Sequence, residues 1–401
     1  MIAMLRVRCL LLVLALDAGV AHAQARLLRI PSRILGEERS VHVALPSNYA
    51  NARQRYQVTY LLDGHVRAFF DLAVAAAGYD VAGDIRDYGI PAQIVVGVEQ
   101  KDRGADLGRN QELFSRFLHE ELIPRIEREY RTVPFRTLIG HSLGGRFALN
   151  ELCRGRGAFR AVIAMSPGVG DSASFASLTD CLQRSFRESG LVAQQVVLIA
   201  GEREPRSLSG AMRLQDYLNR AAPESWRISM LDGARLGHTE TPFVAIPRGI
   251  RLVHDARLWE MPPATANSLL TGSADPHAIM TAWYATLSAR VGYEVPPASK
   301  WLRAVASRFL AQRDLAAAET AARRAVAEYP EDLSGYAILA DVFLASSNGA
   351  GARRALEDGL RMLERLEFFD ESARSLARTV LREHLDRLAP RSPSQQTVLR
   401  F

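Results

Sequence analysis

The sequence predicts an α/β fold, a mostly parallel central sheet covered by helices and followed by a smaller all-α region, and three observations carry that reading. First, short strand-forming runs recur at Val41 to Ala44, Val58 to Leu62, Ile94 to Val98, Thr137 to Ile139, Ala161 to Met165, Val196 to Ala200 and Trp226 to Leu231. Most are continuously apolar, which suits strands buried on both faces. Second, helical stretches separate them, so strand and helix alternate. The clearest places Leu113, Phe114, Phe117, Leu118, Leu122, Ile123 and Ile126 on one stripe of a single surface helix. Third, the strand runs stop after about residue 262, and Trp301 to Leu363 is rich in Ala, Leu and Arg at helical spacing.

At 401 residues the chain is long enough for two folded units. Its composition, 48% hydrophobic and 23% charged, is that of a globular protein and excludes disorder and a multi-span membrane protein. The formal net charge is +6, carried almost wholly by arginine, with Lys101 and Lys300 the only lysines. These cations are scattered among acids, so no nucleic-acid tract is expected.

At the amino terminus Arg6 and Arg8 precede the apolar run Cys9 to Leu16 and the small-x-small pattern Ala21-His22-Ala23. That pattern predicts a signal peptide over 1–23, cleaved before Gln24, and hence export to the periplasm or medium. The run, broken by Asp17, is too short for a stable membrane span. Cys153 and Cys181 then remain as the thiols of an oxidising compartment, where they form either one disulfide or two buried thiols.

The expected organisation is therefore a catalytic domain over 24–262, a helical junction over 263–299, helical repeats over 300–390 and a flexible tail over 391–401. Within the repeats, Ala306, Phe309 and Ala318 recur as Ala340, Phe343 and Ala352, 34 positions on. Small and aromatic residues at that period are what a tetratricopeptide-like helix pair needs in order to interlock. Two repeats leave an apolar face uncovered, so the helices are expected to dock on the first domain, or to offer a surface for a protein partner or self-association.

Gly140-His141-Ser142-Leu143-Gly144 fits G-x-S-x-G between the run Thr137 to Ile139 and a helix starting near Gly145. A strand-to-helix turn of this kind is the nucleophile elbow of an α/β-hydrolase sandwich, with Ser142 as nucleophile. A serine hydroxyl needs a base to take its proton, and in this fold the order is serine, acid, histidine. His238, in the loop Gly233 to Thr239, is the expected base; His254 falls on a helical stretch and His277 beyond the domain end. The acid is expected after the strand Val196 to Ala200, where Glu204 is preferred over Glu202, with Asp232 a further candidate. The oxyanion is expected to meet the backbone amide of Leu143 and a second amide from the turn Asp63-Gly64-His65, supplied by Gly64 or His65. The His65 side chain stands either at the substrate or at the rim. There is no H-E-x-x-H, C-x-x-C or P-loop pattern, so neither metal nor cofactor is implied.

From Leu27 to Leu258 the chain resembles the esterase family that contains esterase D, the enterochelin esterases, feruloyl and acetyl-xylan esterases and the mycolyltransferases. The likeness is carried by Tyr60-Leu61-Leu62-Asp63-Gly64, Val96-Gly97-Val98 with Asp102-Arg103 and Asp106-Leu107, Phe117-Leu118 to Glu121-Leu122-Ile123-Pro124, Gly140 to Gly145, Met165-Ser166-Pro167 and Gly237-His238-Thr239. The tail is similar to proteins in which such an esterase precedes tetratricopeptide-like helices, with Trp283-Tyr284, Leu287-Ser288, Gly292-Tyr293 and Pro296-Pro297 at the junction. Relatives often carry an aromatic pair soon after the Ser-Pro, whereas here Gly168-Val169-Gly170 follows, which points away from an aromatic or siderophore-type substrate. The resemblance implies a carboxylic-ester hydrolase acting on a small molecule through an acyl-enzyme. An acyltransferase and an idle hydrolase-fold binding module are the alternatives.

Overall fold

The computed structural model describes residues 25–78, 91–154, 157–187, 194–366 and 371–388. The signal expected over 1–23 and the tail expected over 391–401 lie outside these residues.

An eight-stranded sheet forms the centre, built from β1 (Arg26–Ser32), β2 (Glu37–Ala44), β3 (Tyr56–Leu62), β4 (Gln93–Val98), β5 (Thr132–His141), β6 (Ala161–Met165), β7 (Gln195–Ile199) and β8 (Arg227–Met230) in the order β1-β2-β4-β3-β5-β6-β7-β8. β1 and β2 pair antiparallel, as do β2 and β4, and the remaining pairs are parallel. Each expected run overlaps a strand, with Ala200, Trp226 and Leu231 just outside β7 and β8. β1 was not expected: its residues alternate exposed and buried at the sheet edge, and the outward arginines hide the apolar side in the sequence. β8, whose run carries Arg227 and Ser229, is a half-exposed edge strand.

The helices in chain order are α1 (Arg67–Ala77), α2 (Gln111–Arg116), α3 (Ile123–Glu129), α4 (Leu143–Arg154), α5 (Ser172–Phe186), α6 (Pro205–Ala221) and α7 (Thr241–Val253). After them come α8 (Ala256–Trp259), α9 (Pro263–Thr271), α10 (Pro276–Val291), α11 (Ser299–Ala311), α12 (Leu315–Glu328), α13 (Leu333–Ala345), α14 (Gly349–Leu363) and α15 (Glu371–Arg387). Successive strand side chains point to opposite faces, which divides the core in two. Tyr60, Leu62, Val96 and Leu138 meet α2 to α6 through Phe114, Phe147, Leu182 and Leu214. Leu61, Val95, Ile139 and Ile163 meet α1 and α7 through Phe70, Ala73, Ile246 and Ile250.

The single helix expected around Leu113 to Ile126 is interrupted. Phe117–Leu122 is π-helical between α2 and α3. The wider turn rephases the stripe, so Phe114, Phe117, Leu118, Leu122 and Ile126 are buried while Leu113 is exposed.

The second core cluster does not end with the sheet. It runs from Leu61 and Ile250 through Trp259, Leu287 and Val305 to Leu356 and Leu381, so the carboxy-terminal helices share one apolar core with α1 and α7. The 34-residue period is present in the backbone: Arg313 and Ser347 both take left-handed φ, at 65° and 59°. The amides of Asp314 and Asn348 donate to Phe309 and Phe343 carbonyls at 3.0 and 2.7 Å. Ala306, Ala318, Ala340, Phe343 and Ala352 are buried, and Phe309 is partly so.

Candidate active site

The parallel strands end in register, with Leu62 beside Val98, His141 beside Met165 and Met165 beside Ile199. Because β3 lies between β4 and β5, the loops leaving β3, β4 and β5 gather at one edge, the place where open α/β sheets bind ligands. Ser142 stands there, one residue past β5 and one before α4, with φ of 57°. A non-glycine residue in that region costs about 1–2 kcal/mol and persists only where its surroundings impose it. They do so here, since the Ser142 amide donates to the Met165 carbonyl at 2.8 Å and its carbonyl accepts from Arg146 and Gly168 at 3.0 and 3.2 Å. Gly140 lets the turn close, because a Cβ there would stand 2.2 Å from the Gly144 carbonyl oxygen.

His238 lies on the loop between β8 and α7. The loop is strapped to the end of β7, where the Glu202 amide donates to Gly233 and the Arg203 amide to Leu236, at 3.0 and 3.1 Å. The same strap puts Glu204 under the imidazole, with Oε2 accepting from His238 Nδ1. The carboxylate is buried, whereas the imidazole is 45% exposed. Glu204 Oε1 accepts from the Ser166 hydroxyl at 2.7 Å, the Thr241 hydroxyl at 3.0 Å and the Gly201 amide at 3.1 Å. Burial alone would raise this carboxyl, but the hydrogen bonds from Ser166, His238, Gly201 and Thr241 outweigh it and hold the group below the ordinary glutamate range.

Of the competing acids, Glu202 is exposed and accepts from the Arg235 amide, and Asp232 accepts from Ala234. His254 is buried, its Nδ1 2.8 Å from the Ile250 carbonyl, and His277 is exposed at the start of α10.

His141 joins the His238 loop to the turn at Ser142. Its Nε2 donates to the His238 carbonyl at 2.9 Å, and the two rings lie 4.5 Å apart. Burial, then the neighbouring His238, pushes His141 down to about 4, so the ring is neutral at pH 7. Among the described residues no hydrogen bond links Ser142 Oγ to His238 Nε2; such contacts commonly tighten only around substrate. Phe69 packs edge-on against both His141 and Phe243, which gives the rim an aromatic wall.

Leu143 begins α4, so its amide has no acceptor within the helix. The second expected donor needs correction. The Gly64 amide donates to the Val98 carbonyl at 2.9 Å and is not free, because Gly64 packs so close to β4 that a Cβ would meet Gly97 at 2.2 Å. Of the pair, the amide of exposed His65 remains. The turn itself is gripped from the loop after β4. Gln100 Oε1 accepts from the Asp63 amide at 2.7 Å, and Arg103 donates to the Asp63 carboxylate at 2.7 and 3.1 Å and to the His141 carbonyl at 2.9 Å.

Ser166, Thr241 and Gln100 were not legible as site residues. Arg103 and Ser166 stood in the quoted motifs without a role, and Thr241 follows His238 by one turn of chain. Cys153 and Cys181 form a disulfide joining α4 to α5, with Cα atoms 5.9 Å apart. No three His, Cys, Asp or Glu side chains gather as a metal site, and no helix is long and apolar enough to cross a membrane, among the described residues.

Residues 32–233 match the family model described as Putative esterase. Over 143 residues the chain is 31% identical to the ferri-bacillibactin esterase BesA of Bacillus subtilis (strain 168), which covers 34% of this chain and 50% of that protein. The chain thus spans about half the length of that curated relative. An IroE-like serine hydrolase from Shewanella oneidensis superposes with a TM-score of 0.60 at 23% identity, over 74% of this chain and 98% of its own. An uncharacterised protein from Capnocytophaga ochracea gives 0.58 at 16% identity over 91% and 99%, so that likeness in fold reaches into the carboxy-terminal helices. At such identities the two structures speak for the fold alone, an α/β-hydrolase sheet with a helical extension. The match of the family model to half of the sequence goes further, and the chain belongs to the putative esterase family.

Proposed function

We propose that this chain is an exported serine carboxylic-ester hydrolase working through Ser142, His238 and Glu204. Ser142 Oγ attacks the ester carbonyl carbon and its proton passes to His238 Nε2. The oxyanion faces the amides of Leu143 and His65, and collapse expels the alcohol, which leaves with the proton from Nε2. Water, deprotonated by the same nitrogen, then releases the acid from the acyl-enzyme. Glu204 orients the imidazole and stabilises its charged form without taking the proton.

The observation that carries this reading is the Glu204–His238 contact on a loop whose backbone is bonded to His141, next to a strained serine. Ser142→Ala tests it: turnover of p-nitrophenyl acetate is expected to fall on the order of a million-fold with the melting temperature nearly unchanged. Activity within about tenfold of the parent would exclude Ser142 as nucleophile.

For the substrate, the relative named a ferri-bacillibactin esterase makes a siderophore lactone one class to try. The aromatic wall of Phe69 and Phe243 supplies an apolar rim that the Gly168-Val169-Gly170 segment lacks. A panel of p-nitrophenyl esters of rising chain length, a feruloyl ester and a siderophore trilactone would separate the classes by kcat/KM. Export is supported by the disulfide, which persists in oxidising compartments. The exported protein should begin at Gln24 on amino-terminal sequencing, and an intact Met1 would refute cleavage.

A further inference from the structure

Glu204 has two oxygens with different work. Oε2 faces His238 Nδ1, and Oε1 faces away from the imidazole, into a buried corner made by three separate elements. The end of β6 supplies the Ser166 hydroxyl, the start of α7 the Thr241 hydroxyl, and the turn after β7 the Gly201 amide. Ser166 and Thr241 are both 0% exposed, so neither hydroxyl has water as an alternative partner. We infer that Ser166 and Thr241 are positioning residues for the esterase reaction, fixing the Glu204 carboxylate by Oε1 so that Oε2 stays aimed at His238. The inference rests on the triad assigned above.

The two hydroxyls are not equivalent. Each has one proton to donate. That of Ser166 goes to Glu204 at 2.7 Å, and its amide is held by Ile199 at 2.7 Å with the residue at φ 43°. A left-handed conformation at a non-glycine residue, imposed at the end of a buried strand, points the hydroxyl at the carboxylate instead of into the core. Thr241 stands between two acceptors, Glu204 Oε1 at 3.0 Å and the Gly237 carbonyl at 2.9 Å, and its proton is shared between them. Gly237 precedes His238, so Thr241 holds the carboxylate and the backbone of the base at once. Ser166 is the dedicated donor and Thr241 the shared one.

The charged groups around the carboxylate leave this duty to the hydroxyls. His238 occupies the other oxygen. Arg203 pairs with Glu240, whose carboxylate also accepts from the Gly237 amide, and Glu202 is turned to the Arg235 amide. Among the described residues no arginine or lysine bonds Glu204, so the Ser166, Thr241 and Gly201 donors on Oε1, with His238 on Oε2, keep it ionised and in place. Removing one frees the carboxylate to rotate away from Nδ1, and an imidazolium without its counter-charge gives up its proton more readily, so the acid limb of kcat/KM moves to lower pH.

The test compares Ser166→Ala, Thr241→Val and Thr241→Ser with the parent in two assays, p-nitrophenyl acetate hydrolysis across pH and the rate at which a fluorophosphonate labels Ser142. Ser166→Ala is expected to lower kcat on the order of tenfold with KM little changed and to shift the acid limb to lower pH. Thr241→Val, nearly isosteric, should do the same to a smaller extent, and Thr241→Ser should restore it. Unchanged kcat and an unmoved acid limb in both Ser166→Ala and Thr241→Val, whatever their melting temperatures, would overturn the inference. If Ser166→Ala does not fold, the Thr241 pair decides. A parent protein that the fluorophosphonate leaves unlabelled at Ser142 would instead overturn the nucleophile, and this inference with it.

Discussion

At the residue scale, the distinction between Glu202 and Glu204 shows how two acids flanking Arg203 acquire different fates. Both follow β7, but the turn that buries Glu204 under His238 leaves Glu202 on the surface against the Arg235 amide. Glu204→Gln keeps the shape of the side chain and removes the charge that faces His238 Nδ1. Turnover should fall on the order of ten-thousandfold, while Glu202→Gln stays within about twofold. Paired kinetics with a larger loss for Glu202→Gln would reverse the assignment. The pair also illustrates what could be read early: the offset from the strand favours Glu204, but nothing in the spacing says that Ser166 and Thr241 converge on its far oxygen.

Among the elements, α7 links the His238 loop to the carboxy-terminal region, and its end is held by a titratable group. His254 caps it, with Nδ1 2.8 Å from the Ile250 carbonyl and Nε2 2.6 Å from the side-chain oxygen of Gln57 on β3. Gln57 Nε2 donates to the Tyr293 hydroxyl, beyond α10, at 2.9 Å. Burial pushes His254 down to about 4 in the folded chain, opposed by its bond to Ile250, against about 6.5 when unfolded. Above about 6.5 neither state binds the proton and the stabilisation is complete. Between about 6.5 and 4 only the unfolded chain is protonated, so stability is lost as the pH falls, on the order of 3 kcal/mol in all. Melting temperatures of the parent and His254→Gln should therefore converge from pH 7 to 4.5. A gap that stays constant across that range would remove His254 as the source of acid sensitivity.

On the scale of the whole molecule, the carboxy-terminal helices belong to the packing of the hydrolase sheet. Trp259, Met261, Leu287 and Val305 lie in the same apolar cluster as Ile246 and Ile250 of α7. Polar contacts add to it: Asn48 and Gln54 donate to Glu331 at 3.3 and 3.1 Å, and Arg290 donates to the Leu258 carbonyl at 3.0 Å. Burial is worth roughly 25 cal/mol for each Å² removed from water, so uncovering this face is costly. A chain ending at Pro262 should melt at least about 10 °C below the full chain and be less soluble, while any folded fraction still cleaves a small ester. Equal melting temperatures would show the helices to be an independent unit.

The sequence by itself determined what depends on local pattern. Unbroken apolar runs such as Ile94 to Val98 announced buried strands, Gly140 to Gly144 announced the elbow, and a 34-residue period announced the paired helices. Their physical cause is close in the chain, in side-chain alternation, glycine at a tight turn and helical spacing. What the tertiary structure decided depends on distances between elements far apart in sequence. It closed Cys153 onto Cys181, occupied the Gly64 amide with Val98, and brought Arg103 to both Asp63 and His141. It also rephased the stripe at Leu113 through a π turn and merged the helical region into one core with α7. Sequence spacing carries no separation or direction across a sheet, and a hydrogen bond or disulfide forms only where both are right.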